Sequence, residues 1–272
     1  YVFEKGAYGV HQVAKLIAED GASGDEFGYS VAVSGSLIVV AAASDKTRGS
    51  YYGCAYVFEK GTDGTVTEIA KLTGSDVEPV RGDTSTYGAQ SDDFGLSVAV
   101  SGSLIVVGAI GVDIEKDFAS GAGSAYVFET GMYGAMTQLA KLAAPDARAN
   151  ENFGNSVAVS GSLIVVGAYK DDVRASDSGS AFVFEKGTDG NVTQLAKLYA
   201  PDGAADDNFG YSVAVSDSLI VVGALANSGS AYVFEKGADG AVTQLAKLTA
   251  PDGAASDYFG RSATTAGVPP GS

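Results

Sequence analysis

Apolar and polar positions along this chain alternate with a period of two, and no stretch keeps the 3.6-residue period that a helix needs. The third of four full repeats shows the pattern best. Phe153–Ser160 (FGNSVAVS) sets Val157 and Val159 on one side and Ser156, Ala158 and Ser160 on the other. Leu163–Ala168 (LIVVGA) is apolar throughout and rich in β-branched residues, which suits a central strand covered on both faces. In GSAFVFE, Phe182 and Phe184 oppose Ala181, Val183 and Glu185. VTQLAKL is mixed, and Lys197 within it reads as the charge that protects an outer sheet edge. We name these four predicted strands a to d. Strands a and b join through Ser160-Gly161-Ser162, and c and d through Gly187-Thr188-Asp189-Gly190, both tight-turn sequences. Asp217 replaces the a–b glycine in the last full copy, and aspartate is among the few residues that tolerate a left-handed backbone.

The same unit stands at Phe27–Ala42, Phe94–Ala109 and Phe209–Ala224, and a further copy begins at Phe259 and loses its pattern after Ser262. Four-stranded antiparallel units roughly fifty residues apart predict an all-β protein, a β-propeller. A single propeller over 1–272 would have blades at 27–72, 94–142, 153–198 and 209–248. Tyr1–Leu16 would supply strands c and d of another blade, and 259–265 its strand a. Joining these ends closes a five-bladed ring whose last blade has three strands. The alternative is a fragment of a longer, seven-bladed ring.

Loop lengths narrow the functional reading. In an up-and-down blade the a–b and c–d turns emerge on one face of the disc, and the b–c and d–a loops on the other. The turn face is nearly uniform. On the loop face, the b–c connections hold 10, 13, 10 and 4 residues, and the d–a connections 10 in four cases and 21 in one, between Leu72 and Phe94. Binding specificity resides in loops carried by a rigid scaffold, so the functional face is expected there. The formal net charge of −16 argues against nucleic acid or an anionic membrane as partner. No apolar run in this segment is long enough to cross a bilayer.

The FG and GA signatures, with GSAYVFE beyond them, resemble the FG-GAP repeat of integrin-alpha-type β-propellers over nearly the whole chain. The third motif letter is not proline: Ala42, Ala109, Ala168 and Ala224 precede Ala43, Ile110, Tyr169 and Leu225. Many repeats of that type carry a D-x-D-x-D-G calcium loop between strands a and b. Ser-Gly-Ser or Ser-Asp-Ser here offers too few oxygens for calcium, so no cofactor is expected by that route. The resemblance implies an extracellular or cell-surface role in adhesion or recognition, without catalysis.

Candidate sites follow. Acidic residues precede each FG (Asp25, Asp92, Asp93, Glu151, Asp206, Asp207, Asp257). Capping of a turn by carboxylates that accept backbone N–H groups is the favoured reading. A calcium site built from Asp202, Asp206 and Asp207 is the alternative. Arg81-Gly82-Asp83, the tripeptide that integrins read as a ligand, lies with Tyr87 in the long d–a insertion. Asn191-Val192-Thr193 is an N-glycosylation sequon at a c–d hairpin tip. Cys54, the only cysteine, stands where other repeats have Ser124, Ser180 and Ser230, and reads as a small buried residue. His11, the only histidine, falls on an outer d strand, which leaves no nucleophile–base pair to build. The expected function is a non-enzymatic adhesion or structural-assembly module that binds other proteins of a surface or extracellular assembly. The alternative is a carbohydrate-binding propeller that uses Tyr51 and Tyr52 as sugar platforms.

Overall fold

The computed structural model describes residues 1–6, 8–45, 53–74, 92–112, 121–226, 228–254 and 256–265. Four blades are complete. The first holds β3 (Phe27–Ser34), β4 (Leu37–Ala42), β5 (Cys54–Lys60) and β6 (Val66–Leu72). The second holds β7 (Ser97–Ser101), β8 (Leu104–Ala109), β9 (Ser124–Thr130) and β10 (Met136–Leu142). The third holds β11 (Phe153–Ser160), β12 (Leu163–Ala168), β13 (Ser180–Lys186) and β14 (Val192–Leu198). The fourth holds β15 (Ser212–Ser216), β16 (Leu219–Ala224), β17 (Ser230–Lys236) and β18 (Val242–Leu248). Each is an antiparallel meander in chain order, and β1 (Val2–Gly6) pairs with β2 (Gly9–Ala14) in a separate two-stranded sheet. The inner strands β3, β7, β11 and β15 touch in series, as they do around a propeller axis. The arrangement is a β-propeller of four-stranded blades and fits a five-bladed ring.

The core lies between blades rather than within them. Leu104, Val106, Val127 and Leu142 of the second blade pack against Phe153, Ile164, Val166 and Phe182 of the third, and the neighbouring seams repeat the scheme. Strand b is buried on both faces because its residues serve two seams.

Each seam is closed by backbone packed directly on backbone. The residue before Phe takes a left-handed conformation (φ 58° at Asn152, 53° at Asn208), and so does the following glycine (φ 93° at Gly154 and Gly210). This folds the FG corner onto the preceding blade, with bridges Gly123↔Phe153 and Gly179↔Phe209. Strand-a serines lock it: Ser97 Oγ donates to the Gly154 carbonyl at 2.8 Å, and Ser156 Oγ to that of Gly210 at 2.9 Å. The phenylalanine turns back into its own blade, where Phe153 meets Phe182 and Phe184 edge-on at 5.1 and 6.3 Å.

Candidate functional site

On the loop face, the outer strands of the first, third and fourth blades each contribute the lysine of their AKL sequence to an ion-pair network. In the first blade, Lys71 Nζ lies 2.6 Å from Asp20 of the d–a loop and 2.8 Å from Asp45 of the b–c loop. Tyr56 donates its hydroxyl to both carboxylates, at 2.6 and 3.1 Å, and Cys54 Sγ lies 3.1 Å from Asp45. In the third blade, Lys197 is 2.7 Å from both Asp146 and Asp171, and Ser180 donates to Asp171 at 2.6 Å. In the fourth, Lys247 pairs with Asp202 at 2.5 Å, and Tyr232 donates to the same carboxylate at 2.9 Å. Each ammonium also rides over a ring: Tyr56, Phe182 or Tyr232, at 5.0–5.1 Å.

The expectation that Lys197 guards an open sheet edge is thereby corrected. Its side chain is mostly buried, laid across an aromatic ring and clamped by two carboxylates. It ties both loops of its blade to the outer strand. Sequence reasoning missed this network. Its only trace is that the aspartate of each d–a loop (Asp20, Asp146, Asp202) recurs in step with the AKL lysine.

The electrostatics follow from this geometry. Burial opposes the charge on Lys71, Lys197 and Lys247, but the hydrogen bonds they donate to their aspartates prevail and hold each ammonium above its usual range. The hydrogen bond from Lys71 keeps the Asp20 carboxyl below its usual range, and that from Lys247 does the same for Asp202. Burial, with Asp45 beside it, pushes the Cys54 thiol far up. A lysine held protonated and a thiol held neutral supply no nucleophile. His11 stands exposed on β2.

The carboxylates before FG cap turns. Asp25, Asp207 and Asp257 each accept the N–H three residues back, from Ala22, Ala204 and Ala254, at 2.6–2.7 Å. Glu151 is buried and accepts the Arg148 N–H, and its Oε2 is left without a partner. Burial first, and then the nearby Asp171 and Asp146, push its carboxyl up to about 7. Asp202, Asp206 and Asp207 are not brought to a common point, since Asp202 serves Lys247 and Asp207 caps its turn. Among the described residues, no group of three or more His, Cys, Asp or Glu is placed to hold a metal ion. Asn191 is exposed at its hairpin tip and donates to Asp189 at 2.7 Å. Arg81, Gly82, Asp83, Tyr87, Tyr51 and Tyr52 lie outside the described residues.

The FG corner, the GA end of strand b and the GS start of strand c thus form one joint, repeated at every seam. The FG-GAP repeat pattern matches residues 10–58, 84–128, 136–184, 192–234 and 242–267, well over half of the chain. The chain belongs to the FG-GAP repeat family. The segments 10–58, 136–184 and 192–234 each run from an outer strand to the third strand of the next blade, so each contains one complete inter-blade joint. A solved protein from Lactobacillus plantarum superposes with a TM-score of 0.50 at 12% identity, over 83% of this chain and 57% of that one. At that identity the likeness speaks for the fold alone, and this chain spans little more than half of its neighbour's length. No curated protein matches. An FG-GAP repeat propeller is in general a protein-interaction scaffold. Among the described residues, no helix is long and apolar enough to cross a membrane.

Proposed function

We propose that this FG-GAP propeller is a non-enzymatic extracellular module for adhesion or structural assembly, which binds protein partners through the b–c and d–a loops of one face. The observation that carries the reading is the contrast between the two faces. Connections on the loop face range from 4 to 21 residues, while the joints beneath them are built almost identically in every blade. The Lys–Asp networks support it, because they anchor the loop bases and leave the tips free to differ. In this reading Arg81-Gly82-Asp83 and Tyr87 belong to the contact surface, and Asn191 carries its glycan on the opposite face.

The test is the native mass of the protein taken from its own source, with negative-stain images of the same fractions. A fibre, sheet or large complex is expected. Replacing segment 73–93 by the shorter 143–152 should release the subunit. A free monomer in the native extract would overturn the assembly reading.

A further inference from the structure

Across the turn face the blades are stitched by a ladder of ion pairs between third strands. Glu4 of β1 meets Lys60 of β5 at 2.8 Å. Glu129 of β9 meets Lys186 of β13, and Glu185 of β13 meets Lys236 of β17, each at 3.0 Å. One rung is missing. Thr130 of β9 occupies the lysine position between the first and second blades, and among the described residues no cation pairs with Glu59.

The hairpin beside that gap also differs. Gly131-Met132-Tyr133-Gly134 stands where the first and third blades have Gly-Thr-Asp-Gly. Tyr133 sits in the left-handed region at φ 61° and is fully exposed at 101%, and a Cβ at Gly134 would stand 3.5 Å from that of Ile69. Together these changes leave a cleft of about 390 Å³, lined among others by Glu59, Leu37, Ile69, Thr130, Ser103 and Tyr133.

We propose that this cleft seats a lysine side chain of a partner polypeptide, which supplies the missing rung in trans. The adjacent rungs show that a lysine reaching such a glutamate from the next blade comes within about 3 Å of it. Leu37 and Ile69 offer an apolar floor for the methylene stem. The Glu59 carboxylate takes the ammonium, and the Tyr133 ring at the rim offers a cation–π face. The excess of acidic residues draws a basic segment towards the surface. This site lies on the face opposite the variable loops and stands independently of the function proposed for them.

The experiment is an amide-resolved NMR titration of the full chain with N-acetyl-lysine methylamide, and with the norleucine analogue as an uncharged control. Saturable shifts at Ser36, Gly102, Thr130 and Gly134 are expected with the lysine probe, and about tenfold weaker binding with norleucine. Glu59→Gln should weaken the lysine probe to the norleucine level. Thr130→Lys, which restores the rung within the chain, should block it. Equal responses to the two probes, shifts that miss these four amides, or undiminished binding to Thr130→Lys would each overturn the proposal. Glu59 is exposed and both variants keep the seam backbone, so their amide spectra report folding directly.

Discussion

Glycines do two different jobs in this chain, and only one of them is visible in a turn signature. Gly161, at φ 56° in an a–b hairpin, has open space where a Cβ would stand. Gly154, at φ 93°, would place a Cβ 2.3 Å from the Ser124 carbonyl oxygen of the preceding blade. Alanine at 161 should therefore cost about 1 kcal/mol, the strain of a left-handed backbone alone. Alanine at 154 should cost roughly 2–4 kcal/mol, because a rigid backbone contact must open as well. Urea unfolding of the two variants compares them, and equal losses would refute the backbone-joint account of FG. The Asp217 substitution made the first role legible in sequence, since Asp217 itself sits at φ 52°. The second role was not legible, because the atom that forbids a side chain at Gly154 belongs to another blade.

At the level of the element, the d–a loop is a strap held at two points. Its aspartate (Asp146 in the third blade) reaches the outer-strand lysine, and its last carboxylate (Glu151) folds into the elbow before FG. Removing Lys197 would strand the buried Asp171 carboxylate, which is why the pair must be treated as a unit. Glu151 gives the strap a pH signature. Its carboxyl titrates near 4.5 in the unfolded chain and is pushed up to about 7 in the fold, so the folded state binds the extra proton between those values. Stability from this group is complete below pH 4.5 and is lost as pH rises towards 7, a change of roughly 1–3 kcal/mol. Glu151→Gln should flatten that part of the profile, read as urea midpoints at pH 5 and pH 8. An unchanged slope in the variant would show that the general acidic charge, not Glu151, sets the dependence. The strands themselves were legible from their period of two. The strap's fastening was not, because Lys197 in VTQLAKL looks the same whether it points to water or lies across a ring.

For the whole molecule, the question is how the two-stranded sheet of β1 and β2 meets residues 259–265. Phe259 docks on the fourth blade as the other FG corners do, through the Gly229↔Phe259 bridge and Ser212 Oγ donating to the Gly260 carbonyl at 2.7 Å. Yet Phe259 is 37% exposed, whereas Phe209 is fully buried. Tyr1 and Phe3, the counterparts of Tyr232 and Phe234, are 72% and 61% exposed. Leu219 and Leu248 on one open blade face, and Val31 and Val33 on the other, lie exposed where the inner seams bury their equivalents. A ring closed within the chain would seat Phe259 on Tyr1 and Phe3 and extend the turn-face ladder from Glu235 to Lys5. The check is a disulfide between Lys5→Cys and Glu235→Cys in a Cys54→Ser background. Rapid intramolecular oxidation at low protein concentration is expected, and its absence would favour a longer ring completed by other residues.

Several properties were fixed by the order of residues alone: the strands, their antiparallel pairing, the sides of the disc and the repeat of the FG-GAP unit. All of these depend on contacts between neighbours in sequence, so alternation and turn chemistry suffice to specify them. The tertiary structure alone decided what joins one unit to the next. The contact of Gly154 with Ser124, the fastening of Lys197 to Asp146 and Asp171, and the placing of Glu59 beside Thr130 in one cleft each link residues brought together from separate strands or loops. Such partners are chosen by the stacking of whole blades, and a linear pattern does not record which side chain of one blade will face a given position on the next.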